Sequence, residues 1–169
     1  AQGLQTAVEL SGALPGVTLR NLHVSARGDD GVPLIAIRAG GGGSPEAPLW
    51  IDHSVLECQD GQAIWCDGAA QRPIRHVHVS NSVFRSDHAG SLLVFWQSAE
   101  QIEIDHNIFL KGAIGINFNF PKDHHGRNIR VHHNTFFRTP WWMGIVSTDL
   151  AVCEAISLSD NLLVETGGI

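Results

Sequence analysis

The chain has 169 residues, 43% hydrophobic and 17% charged, with 18 Gly and 7 Pro, a size that suits about one globular domain. Eleven basic against 17 acidic residues leave a net charge of −6, the wrong sign for a protein that holds nucleic acid by neutralising phosphates. No apolar run reaches the ~18 residues of a membrane helix, so neither nucleic acid nor a membrane is an expected partner.

A repeat organises the chain from residue 17 onward. Its first copy, Val17-Thr-Leu-Arg-Asn-Leu22-His-Val24, is weak. The Gly-rich stretch Gly40–Pro45 follows and is expected to leave the repeat as a long loop, because copies flank it on both sides. Next come Leu49-Trp-Ile-Asp-His-Ser54-Val-Leu56 and Val77-His-Val-Ser-Asn-Ser82-Val-Phe84. The last three copies carry Asn in the Ser position: Ile102 to Phe109 with Asn107, Ile129 to Phe136 with Asn134, and Ile156 to Leu163 with Asn161. Copies thus begin at 17, 49, 77, 102, 129 and 156, a period that marks a stacked repeat.

Each copy alternates apolar and polar residues, as a half-buried strand does. The phase then breaks around the Asn or Ser, which predicts a sharp bend stabilised by a polar side chain. Further apolar patches follow at 34–37, 63–66, 92–96, 113–118 and 144–147. No window shows a sustained helical period. Each unit is therefore about three short strands, too small to bury a face alone, and stacking closes the core. The pattern resembles the right-handed parallel β-helix of the pectate-lyase-like superfamily across residues 17–164. The column Asn107, Asn134 and Asn161, continued by Ser54 and Ser82, resembles that superfamily's asparagine ladder. The expectation is an all-β, single-stranded right-handed solenoid of about six coils, forming one domain over residues 1–169. Because the chain starts Ala1-Gln2 and stops at Gly168-Ile169, it also reads as a processed or excised piece of a longer protein.

Stacking in register lets columns be read down the repeat. Leu56, Phe84, Phe109, Phe136 and Leu163 form an inward, aromatic-rich column. Outward, Trp50, His78, Glu103, Arg130 and Ser157 align, placing Glu103 between a His and an Arg as in a solvated salt-bridge ladder. Asp52, Ser80, Asp105, His132 and Ser159 form the next column, and His53, Asn81, His106, His133 and Asp160 the one after. His and Asp suit a divalent metal, but a flat strand face without concavity is expected to leave these side chains turn-bonded or solvent-facing. No metal or other cofactor is expected. Cys58, Cys66 and Cys153 make an odd count; Cys58 and Cys66 can pair if the fold brings them together, and otherwise all three are small buried or semi-buried thiols.

Two groups of residues are candidate sites. The turn region 117–127 concentrates Lys122, Asp123, His124, His125 and Arg127. The superfamily resemblance implies a substrate groove on an exposed strand face, and a lyase there needs a base and cations beside a uronate carboxylate. These five are the catalytic candidates, and calcium enters only under that lyase reading. A hydrolase needs clustered carboxylates, whereas Asp67, Asp87, Asp123 and Asp149 are spread over different turns. The second group is Trp65, Trp96, Trp141 and Trp142 with Asn117 and Asn119, where indoles offer flat platforms to sugar rings. Trp141 and Trp142 are adjacent and cannot both point inward from one strand.

The leading expectation is a carbohydrate-recognising β-helix module, or a rigid scaffold without a complete catalytic site. The alternatives are a polysaccharide lyase or glycoside hydrolase acting on acidic polysaccharide, and an accessory domain of a larger multidomain bacterial protein. An extracellular or periplasmic setting is favoured. Polysaccharide is the expected partner, and the protein is expected as a monomer or self-associated end to end through uncapped coils.

Overall fold

A computed structural model describes residues 6–26, 32–59, 61–87, 90–147 and 153–167. Among them there is no helix, and the strands form three parallel sheets, each six strands deep. Sheet A contains β1 (Val8–Leu10), β4 (Ile35–Ile37), β7 (Ile64–Asp67), β10 (Ser91–Trp96), β13 (Ile114–Phe120) and β16 (Trp141–Ser147). Sheet B contains β2 (Thr18–Arg20), β5 (Leu49–Asp52), β8 (Ile74–Ser80), β11 (Ala99–Asp105), β14 (Gly126–His132) and β17 (Cys153–Ser159). Sheet C contains β3 (His23–Ala26), β6 (Val55–Cys58), β9 (Val83–Ser86), β12 (Ile108–Lys111), β15 (Thr135–Phe137) and β18 (Leu162–Val164). Every third strand returns to the same sheet, so the chain winds as a solenoid of about five turns.

The bend between sheets B and C explains the break in the repeat. Asn21, His53, Asn81, His106, His133 and Asp160 all have positive φ, between 47° and 56°. Asn, Asp and His tolerate that left-handed conformation better than other residues with a Cβ. Backbone need therefore selects the His/Asn/Asp column. The following residue turns inward: Ser54, Ser82, Asn107 and Asn134 are buried. Their side chains satisfy the corner amides of the preceding coil. Ser54 Oγ accepts from Leu22 N–H, Ser82 Oγ from Ser54 N–H and Asn107 Oδ1 from Ser82 N–H. Asn134 Oδ1 and Asn161 Oδ1 do the same for Asn107 and Asn134. A buried N–H without a partner costs on the order of 1–3 kcal/mol, so this column fixes the corner.

The core lies inside the three sheets. Leu56, Phe84, Phe109 and Phe136 are fully buried, with Phe84–Phe109 and Phe109–Phe136 centroids 5.0 and 4.8 Å apart. Leu163, expected in the same inward column, is 42% exposed, because no described strand stacks beyond β18.

One further expectation is corrected. Gly40–Gly43 does not leave the stack: Gly42 bridges in parallel to Ala13 on one side and Arg75 on the other. At φ +127°, a Cβ on Gly42 would stand 1.8 Å from the Arg75 carbonyl oxygen. The glycines thus let neighbouring coils touch. Of the two alternatives for the cysteines, free thiols hold: Cys58 and Cys66 do not form a disulfide. They lie in β6 and β7, in different sheets, and burial pushes the Cys66 thiol well above its ordinary value.

Candidate functional site

Sheet A presents an aromatic platform. Its residues alternate inward and outward, and Trp65 of β7 and Trp96 of β10 take outward positions on neighbouring strands. The two indoles stack with centroids 5.5 Å apart and planes 24° from parallel. Both are half-buried, which leaves ring surface accessible. Register continues the Trp96 column into Asn119 and Val146, the latter 54% exposed. Asn119 makes no side-chain hydrogen bond among the described residues.

Other candidates on this sheet divide. Asn117 donates from Nδ2 to Ser91 Oγ at 3.4 Å, while its Oδ1 is buried without a partner. Trp141 is 52% exposed. Trp142 instead packs its ring edge-on against Phe136 at 5.4 Å and is buried. Successive residues of a strand face opposite sides, so Trp142 belongs to the core and is not open to a ligand.

The polar turn between β13 and β14 does not gather its five residues around one point. Lys122 and Asp123 sit at its exposed tip and have no ion pair among the described residues. His124 Nδ1 lies 3.2 Å from Ser98 Oγ. His125 Nε2 lies 2.5 Å from Glu100 Oε1, and Arg127 Nε 3.2 Å from Glu154 Oε2. Burial alone would raise the Glu100 carboxyl, but hydrogen bonds from His125 and Arg75 outweigh it and hold it below its ordinary value. Asp149 lies outside the described residues.

Sheet B departs from the flat face that the sequence suggests. His76, Gln101, Asn128 and Ala155 stack in register with positive φ between 51° and 55°. These left-handed residues bend each strand, and with the Ser44–Pro48 loop they bound a groove of about 670 Å³. His78, Glu103, Arg130 and Ser157 line it. No shared chemistry among His, Gln, Asn and Ala marks this bend in the sequence; among its members only His76 stands out, through the His76-x-His78 spacing.

The imidazoles and carboxylates of this face are committed to one another. The His78 ring lies on Trp50 at 3.9 Å, and its Nε2–H donates to Asp105 Oδ1 at 2.7 Å. His106 Nδ1–H donates to the other oxygen of Asp105 at 3.0 Å. Glu103 does not bridge His78 and Arg130 as a column ladder would; its Oε1 accepts from His132 Nε2 at 3.1 Å. At the head of the face, Asp52 meets His53, Asn81, Ser80 and Arg20. Burial would raise its carboxyl, but hydrogen bonds from Asn81, His53 and Ser80 prevail and lower it to about 2. Among the described residues no three His, Cys, Asp or Glu side chains converge on a metal position.

Comparison finds no family model, curated sequence or solved structure similar to the chain. The reading of its function therefore rests on the two outward faces, the aromatic platform of sheet A and the groove of sheet B.

Proposed function

We propose that this β-solenoid is a carbohydrate-recognition module that holds a polysaccharide strand along the outer face of sheet A. One observation carries this reading: Trp65 and Trp96 form a stacked, half-buried pair on outward positions of neighbouring strands. A flat indole accepts the apolar C–H face of a sugar ring and keeps water from it. The uncommitted Asn119 amide lies in the Trp96 column, where it can bond ring hydroxyls. Coils repeat every ~4.8 Å along the solenoid axis, so a polymer laid along that axis passes Trp65, Trp96 and Asn119 on successive strands.

Glycan-array binding, followed by calorimetry on any hit, tests the proposal. Binding should weaken about tenfold or more in Trp96→Ala, the loss expected for one aromatic stacking partner. An array without hits would overturn the recognition reading in favour of a rigid scaffold.

The second reading, a polysaccharide lyase, is favoured by Lys122, a cation at the rim of sheet A with no ion pair among the described residues. Release of unsaturated ends from uronate polymers, lost in Lys122→Met, would support it; no product with or without calcium would remove it.

A further inference from the structure

We propose that the groove over sheet B is a second and separate binding site, which takes an anionic oligosaccharide through Arg130. Charge accounting on the face points there. Arg75 is paired with Glu100, Arg127 with Glu154, and Arg20 with Asp52. The carboxylates are also occupied: Asp105 receives two imidazole N–H groups and Glu103 one. Arg130 is the exception. It lines the groove, stands next to Glu103 in register, and still has no ion pair or side-chain hydrogen bond among the described residues.

An unpaired guanidinium on a folded surface offers a planar fork of donors that matches the two oxygens of a carboxylate or a sulfate. Its surroundings suit a sugar chain rather than a lone ion. Gln101, Asn128 and Ser157 line the same groove, and none of their side chains makes a hydrogen bond among the described residues. Gln101 and Asn128 come from adjacent strands, β11 and β14, and so lie about 4.8 Å apart along the axis. Two amides, a hydroxyl and a guanidinium thus follow one another across a groove of about 670 Å³, far larger than one sulfate. Glu103 on the opposite side of Arg130 limits the charge density the groove accepts. That favours sparsely charged chains over a polyanion such as nucleic acid.

The site is independent of the Trp65–Trp96 platform, because sheets A and B are different walls of the solenoid. The test is calorimetric titration with three tetrasaccharides of equal length: uronate-containing, sulfated and neutral. Inorganic sulfate is the fourth probe. Through Arg130, the wild-type protein should bind at least one anionic tetrasaccharide more tightly than either the neutral one or sulfate. The uronate and sulfated arms identify the source of the anion. Arg130→Gln should weaken that binding about tenfold or more, and Arg130→Lys should restore only part of it, since the charge returns without the fork. Affinity should fall with added salt. Trp96→Ala should leave it unchanged, which separates failure here from failure of the sheet A reading. Arg130 is exposed and has no partner among the described residues, so an unaltered thermal transition will show that Arg130→Gln still folds. The proposal is overturned if neither anionic tetrasaccharide binds. It is equally overturned if Arg130→Gln binds the anionic tetrasaccharides like wild type, or if sulfate or the neutral tetrasaccharide binds as tightly and loses as much affinity in Arg130→Gln.

Discussion

Asn134 Oδ1 accepts two hydrogen bonds from Asn107, one from its backbone N–H and one from its Nδ2, each at 3.0 Å. Asn134 in turn donates from Nδ2 to the Ile104 carbonyl at 2.8 Å. Both residues are buried, so water cannot replace these bonds. Asn134→Ala should therefore cost about 2–4 kcal/mol, because it strands buried donors and an acceptor together. Urea unfolding measures this. The same change at Asn161, which is only half-buried, should cost clearly less.

The aromatic column predicts a second contrast. Phe109 is fully buried between Phe84 and Phe136. Phe109→Ala should destabilise by about 3–5 kcal/mol through lost burial and the cavity left behind. Leu163 occupies the equivalent position one coil beyond Phe136 but is 42% exposed. Leu163→Ala should cost less than about 1 kcal/mol. Equal losses at both positions would contradict the burial gradient.

Much of this architecture is written in the repeat. The Asn107, Asn134 and Asn161 spacing places the corner, and the alternation in Ile129-Arg-Val-His assigns inward and outward faces before any coordinate is known. Other features depend on what neighbouring coils do. Glu103 stands next to Arg130 in its column, yet it bonds His132, because a long side chain reaches diagonally as easily as straight across. The bend is hidden at Gln101 and Ala155, because stacking can impose a left-handed backbone on residues that do not prefer it. Gly40–Gly43 reads as a linker by composition alone, and only the approach of Arg75 shows why glycine is needed. The Trp65–Trp96 pair is legible as two indoles, but their offset across β7 and β10 needs the register.

Gly42 supplies a backbone prediction. Its φ of +127° and the 1.8 Å approach of a Cβ to the Arg75 carbonyl oxygen leave no room for a side chain. Gly42→Ala should cost at least about 2 kcal/mol by strain alone. A denaturation midpoint equal to wild type would show that the coils can separate there without loss.

Asp52 supplies a pH prediction. Its folded carboxyl is lowered to about 2, against ~3.9 in an unfolded chain. A lowered folded value means that the stabilisation is present above pH ~4 and is lost as pH falls toward 2. Asp52→Asn should therefore destabilise by roughly 1–2 kcal/mol at neutral pH, allowing for solvent screening. The two stability curves should converge near pH 2. A penalty independent of pH would mean that the amide disrupts packing instead.

The central claim is that the stacked indoles on sheet A hold a sugar chain, and the most direct measurement is glycan binding by the wild-type protein beside Trp96→Ala. The account predicts that at least one glycan binds wild type and loses about tenfold or more in affinity when Trp96 is removed, while Arg130→Gln leaves neutral ligands unaffected. The claim is contradicted if every glycan that binds wild type keeps its full affinity in Trp96→Ala, or if no glycan binds at all.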